Sequence, residues 1–228
     1  MAFSIPDVNP MSLLPEILLL AAAAGILLFS GETGRRRAAA CAAGAVAASL
    51  ASIPLLFLGA RIRGFGGLIV KDDATLIFLA LTDLAALAAI VLSRDGNAGE
   101  QEGGEVYGLA LFALVGMHVM AASRDLLVLF LGLEILALPL YVLVGSDRAA
   151  RNGMEAAVKY FLLGSFASAL FLMGLALYYG ATGTTGFAAL SRLLAQPSLA
   201  FAGLALVTAG IGFKIAAVPF HMWAPDAY

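Results

Sequence analysis

Runs of apolar residues long enough to cross a bilayer dominate this chain, and their length narrows the fold before any motif is considered. A helix rises about 1.5 Å per residue, so about 20 apolar residues cover a hydrocarbon layer. Seven such spans are expected, approximately Leu13 to Phe29, Ala38 to Gly59, Ala74 to Leu92, Val106 to Ala122, Leu126 to Gly145, Met154 to Tyr179 and Leu199 to Trp223. With 62% hydrophobic and 12% charged residues, the chain reads as an all-α integral membrane protein. Apart from an acidic, glycine-rich loop from Ser93 to Glu105 and a segment from Gly180 to Ser198, the joints are short. Consecutive helices are then antiparallel neighbours.

The triplet Arg35, Arg36, Arg37 places the first joint in the cytoplasm by the positive-inside rule, and the N-terminus outside. Asp7 and Glu16 stand where a basic region would precede a cleaved signal peptide, so the first run is expected to remain as a membrane helix. A formal net charge of -2 with its charges in the joints carries no nucleic-acid footprint. Cys41 is the one cysteine, which excludes a disulfide, a thiolate zinc site or an iron–sulfur cluster built from this chain alone. The first three spans are rich in Ala and Gly, suited to close helix packing. The stretch GFAALSRLLAQP reads as a short amphipathic helix at the interface, or a plain loop.

Ionisable side chains inside spans are the candidates for chemistry, because burying a charge in hydrocarbon costs about 2.5–3.5 kcal/mol or more. Four are singled out: Asp83, Glu134, Lys159 and Lys214. Lys214 lies five residues before Pro219, and Glu134 five before Pro139. A proline inside a helix frees the carbonyl four residues earlier, here Ile215 and Ile135, so each charge sits beside an expected helix defect. Such defects at membrane depth belong next to protein or a wet cavity. Glu134 is expected near the bilayer middle, with Lys159 on the next helix able to reach it as an ion pair. Alternatively, Lys159 snorkels to the headgroups and Glu134 pairs structurally. His221 follows Lys214 by seven residues, on the same face if the helix resumes, and either extends a proton route or joins Trp223 and Tyr228 in an interfacial belt. Asp83 either binds a neighbouring subunit or is neutral. His118 reads as a core histidine, with a haem held by His118 and His221 as the remote alternative. Neither a zinc-protease motif nor a P-loop occurs, and Gly64, Phe65, Gly66, Gly67 lie in a joint without the required strand.

The run from Lys159 through Gly183, the run FKIAAVPFHMWAPDAY from Phe213 to Tyr228, LLVLFLGLEILALPLY from Leu126 to Tyr141, and Pro15-Glu16-Ile17 together resemble the subunit N family of bacterial NADH:quinone oxidoreductase, respiratory complex I. The resemblance covers essentially the whole chain. It implies an antiporter-like fold of two inverted five-helix repeats, each with a discontinuous helix. Residues 1–105 would supply three N-terminal helices and 106–228 the first, incomplete repeat. The chain stops where the seventh helix ends, so it is expected to be an N-terminal half. The resemblance also implies a proton pathway in which Glu134 matches the fifth-helix glutamate, Lys159 the sixth-helix lysine and Lys214 the lysine at the seventh-helix break. It places NADH, flavin and iron–sulfur clusters in partner subunits, quinone at a distant site, and no cofactor in this chain. The implied partners are the other membrane subunits of respiratory complex I, and the implied location is the bacterial inner membrane. Two other readings compete: a subunit of a multisubunit sodium/proton antiporter, and a scaffold that only packs helices.

Overall fold

The structure, a computed structural model, describes residues 10–29, 34–57, 62–93, 103–146, 153–188 and 197–227. Helices follow the apolar runs: α1 (Leu14–Leu28), α2 (Arg35–Phe57), α3 (Asp73–Ser93), α4 (Glu105–Ala122), α5 (Leu126–Val144), α6 (Gly153–Thr182), α7 (Pro197–Lys214) and the four-residue α8 (Ala224–Ala227). Among the described residues six helical segments are long and apolar enough to cross a membrane, the first of them Pro10–Leu28, in which a 3-10 turn precedes α1, while the seventh apolar helix is shorter, Ser198–Lys214. Many large apolar side chains lie on the outside, among them Leu28, Phe78, Leu92, Phe166 and Phe201. In water that would be a large penalty; in lipid it is the low-energy arrangement. Most of the stretch from 186 to 197, read above as an interfacial helix or loop, lies outside the described residues.

The chain divides into two compact units. The first holds residues up to Arg124 together with Leu131–Pro139. Its core joins α1, α2, α3 and α4 around Leu19, Ala23, Ala38, Ala42, Val46, Ile90, Tyr107 and Leu111. The alanines of α2 permit the close approach that membrane helices need in the absence of a hydrophobic driving force. Glycines do the same between α4 and α5, where a side chain on Gly116 would run into the backbone of Leu136 and Gly132.

A two-stranded antiparallel hairpin, β1 (Ile62–Gly64) and β2 (Ile69–Lys71), fills the joint between α2 and α3. The glycine-rich run Gly64, Phe65, Gly66, Gly67 lies in this hairpin, from the end of β1 into the turn. Its turn needs positive φ at Phe65, Gly66 and Gly67, and glycine meets that demand at two of the three. The hairpin hands over to α3 through Asp72, whose Oδ1 accepts from the Thr75 amide at 3.0 Å and so caps the helix.

The second unit holds Asp125–Phe130 and Leu140–Tyr228. Asp125 caps α5 by accepting from the Leu127 amide at 2.8 Å, and it accepts at 2.6 Å from the Thr185 hydroxyl, tying the end of α6 to the start of α5. Helices α6 and α7 pack closely because Gly174 and Gly203 face each other, each leaving room for the other's backbone.

Candidate functional site

Helix α7 stops at Lys214, and local backbone chemistry explains the stop. The Ala216 amide donates to the Phe213 carbonyl at 3.0 Å and the Ala217 amide to the Gly212 carbonyl at 2.8 Å. Ala216 has φ of 52°. That pattern is a Schellman C-cap, with alanine in the left-handed position where glycine is usual. The Trp223 indole adds a third donor, to the Phe213 carbonyl at 3.0 Å. The expected break therefore occurs, but five residues before Pro219 and by capping. Ile215 lies beyond the helix, so no carbonyl is freed in the way the proline argument required. Pro219 instead sits in the irregular segment before α8, after a cis Val218–Pro219 bond.

As the last residue of α7, Lys214 places its ammonium at the end of the helix where the macrodipole favours a cation. Its Nζ donates to the Tyr141 hydroxyl at 3.1 Å and lies 5.4 Å from the centre of that ring. Tyr141 is held by edge contacts with Tyr160 and Phe161, and Tyr160 stacks on Trp223 with centroids 4.4 Å apart. Phe213 closes on Trp223 from the other side. Gly164 makes the site possible, because a side chain there would occupy the position of the Tyr141 hydroxyl. A half-buried ammonium thus meets a hydroxyl that can accept one proton and donate another.

Lys159 is more open than its depth in sequence suggested. Its ammonium bridges Glu155 at 2.8 Å and Asp226 of α8 at 3.1 Å, with nearly half of the side chain exposed. Glu155, Ala156, Lys159, Pro225 and Asp226 line a cleft of about 180 Å³. Within its own unit Lys159 makes these two ion pairs. Glu134 belongs to the first unit and is half-buried on α5. That helix runs on through Pro139 without interruption, so the expected break there does not form. His221 is exposed in the irregular segment, and the helix does not resume before Ala224, which removes the shared-face argument linking it to Lys214.

Asp83 and His118, which the sequence left without roles, are fully buried in the first unit. The Ser49 hydroxyl donates to Asp83 Oδ2 at 2.8 Å, and Asp83 Oδ1 lies 3.2 Å from His118 Nε2. His118 Nδ1 faces Glu16 Oε1 at 3.8 Å, and Lys71 Nζ donates to Glu16 Oε2 at 2.7 Å. Asp83 therefore has partners inside this chain, where a neighbouring subunit had been one expectation. Glu16 and Lys71 were missed as members of a site. Burial pulls the Lys71 ammonium below its ordinary range, and the Glu16 carboxylate opposes that pull. No group of three or more potential metal ligands occurs among the described residues.

Residues 123–228 match the family described as NADH:quinone oxidoreductase/Mrp antiporter, TM. The chain is 46% identical over 176 residues to NADH-quinone oxidoreductase subunit N 1 of Koribacter versatilis, an alignment covering 74% of this chain and 34% of that protein. Its fold is similar to a chain of respiratory complex I from Thermus thermophilus, with a TM-score of 0.79 and 36% identity, over 94% of this chain and 47% of that one. It is also similar to a chain of the Mrp complex from Dietzia, with a TM-score of 0.76 and 27% identity, over 97% of this chain and 44% of that one. The chain spans 34–39% of the length of the curated relatives it matches.

Proposed function

We propose, from the premise that this chain belongs to the NADH:quinone oxidoreductase/Mrp antiporter membrane family, that it forms the proton-conducting part of a subunit of an NADH:quinone oxidoreductase. Quinone is reduced elsewhere in the complex, the electron carriers reside in partner subunits, and this chain contributes proton movement as one part of the translocase. The bacterial inner membrane is its location, with the N-terminus outside. Residues 106–228 serve as the first of two inverted repeats, and residues 1–105 as the preceding three helices.

The observation that carries this reading is the Lys214 ammonium at the end of the interrupted α7, hydrogen-bonded to Tyr141. A cation fixed at a helix break, with a hydroxyl at 3.1 Å, can hold a proton and release it when its surroundings change charge. Glu134, half-buried on α5, is a further ionisable group of the pathway. Lys159, held between Glu155 and Asp226, and the exposed His221 serve the surface end of the route. In the complete subunit within its assembled complex, Lys214→Ala is expected to reduce protons pumped per electron. Undiminished pumping in that variant overturns the reading.

A second reading, a subunit of a sodium/proton antiporter, is favoured by the structural similarity to the Mrp complex chain. It requires salt-dependent proton exchange in membranes without NADH, whereas the first reading requires proton movement that depends on electron transfer.

A further inference from the structure

The first unit buries more ionisable groups than its packing needs. Glu16, Lys71, Asp83 and His118, with the polar Ser49, are each at most 3% exposed. They come from five elements, α1, β2, α3, α4 and α2. Lys71 closes the hairpin, and Glu16 is in the first turn of α1. His118 lies four residues before the end of α4, about 6 Å along its axis. Asp83 lies ten residues into α3, about 15 Å along, and Ser49 eight residues before the end of α2, about 12 Å along. The series therefore begins at the hairpin and descends to mid-helix depth.

The order of atoms is linear. Lys71 Nζ meets one oxygen of Glu16 at 2.7 Å, and the other oxygen faces His118 Nδ1 at 3.8 Å. His118 Nε2 meets one oxygen of Asp83 at 3.2 Å, and the other accepts from the Ser49 hydroxyl at 2.8 Å. Neither ring nitrogen of His118, nor Asp83 Oδ1, makes an aligned hydrogen bond. A structural polar cluster would satisfy those atoms, since almost all buried polar groups are paired. Here an imidazole stands between two carboxylates, close to both and locked to neither.

We propose that Lys71, Glu16, His118, Asp83 and Ser49 form a second proton path, within the first unit, with its mouth at the hairpin. His118 is the moving joint. The Lys71 ammonium passes a proton to the Glu16 carboxylate across their 2.7 Å contact, Glu16 passes it to His118 Nδ1, and His118 Nε2 gives its own proton to the Asp83 carboxylate. Lys71 is left as a neutral amine, Glu16 ionised, the imidazole neutral and Asp83 protonated, so atoms and charge balance. Closing the 3.8 Å gap to hydrogen-bond length takes roughly 1 Å of movement, within reach of a ring that no aligned bond restrains. A ring flip, or proton exchange between its nitrogens, then resets His118.

The path deepens the reading of the chain as proton-conducting and rests on it for an assay, with Lys214→Ala as the control that separates the two. In the complete subunit within its assembled complex, His118→Gln keeps hydrogen-bonding capacity but cannot relay a proton, and Asp83→Asn removes the acceptor. Both are expected to lower protons pumped per electron by about twofold or more while the melting temperature of the assembled complex stays near that of the unsubstituted protein. If Lys214→Ala lowers pumping while His118→Gln and Asp83→Asn leave it unchanged, the second path is overturned and the first reading stands. If both variants melt earlier yet pump normally, or neither assembles, the cluster is a structural stitch and the path is equally overturned. If Lys214→Ala is without effect while the other two lower pumping, the second path stands and the proposed role of Lys214 falls.

Discussion

Replacing Lys71 by methionine isolates the energetics of the buried ion pair at the hairpin. The two side chains are 0% and 4% exposed and 2.7 Å apart, so each charge relies on the other in place of water. Lys71→Met leaves the Glu16 carboxylate with His118 Nδ1 at 3.8 Å as its nearest ionisable contact among the described residues. Removing one partner of a buried pair costs about 3–5 kcal/mol, because the survivor stays desolvated. Glu16→Gln alone strands the ammonium and is expected to cost a similar amount. Both substitutions together remove both charges, and neutral side chains of similar volume typically restore most of the loss, to within about 1 kcal/mol. The coupling between the sites should then be at least about 5 kcal/mol. The measurement is an SDS titration of the purified complete subunit, followed by helical circular dichroism for the two single variants and the double. Single losses under about 1 kcal/mol, or a double variant whose loss is the sum of the singles, would refute the claim that these charges depend on each other.

Three further substitutions test the lysine site. Ala216→Gly keeps the left-handed conformation but relieves the roughly 1–2 kcal/mol it costs an L-residue, so it should stabilise the end of α7 and raise the SDS midpoint, the opposite sign from most glycine substitutions. Gly164→Ala drives a methyl group into the Tyr141 hydroxyl; it should destabilise by about 1–3 kcal/mol and lower proton flux, with Tyr141→Phe lowering flux at little cost in stability.

Helix number and position were legible because a bilayer demands length more than pattern, and the apolar runs supply it. The end of α7 was not. A Schellman cap is ordinarily announced by glycine, and here Ala216 takes the position, so the visible signal is Pro219, five residues beyond the actual stop. The local ion pair of Lys159 was not drawn from the sequence for a related reason. Depth along the chain suggested a partner on another helix, yet Glu155 stands four residues earlier in the favourable Glu-to-Lys order, a local signal that was available. The buried series in the first unit was half visible: Asp83 and His118 stand out inside apolar runs, but Glu16 looked like a terminal charge and Lys71 like a joint residue. What joins them is a hairpin folding back over the helix ends, a contact between positions 55 residues apart. Sequence spacing carries no trace of such a contact, although Lys71 following Ile69 and Val70 hinted that the joint was not simply wet.

The turn of that hairpin offers a practical handle. Around Gly66 and Gly67 there is open space, while Lys71 a few residues later is anchored deep against Glu16. A short epitope spliced at Gly66 should leave the anchored strand undisturbed, and antibody access to it in sealed vesicles of known polarity would reveal on which side of the bilayer the hairpin emerges.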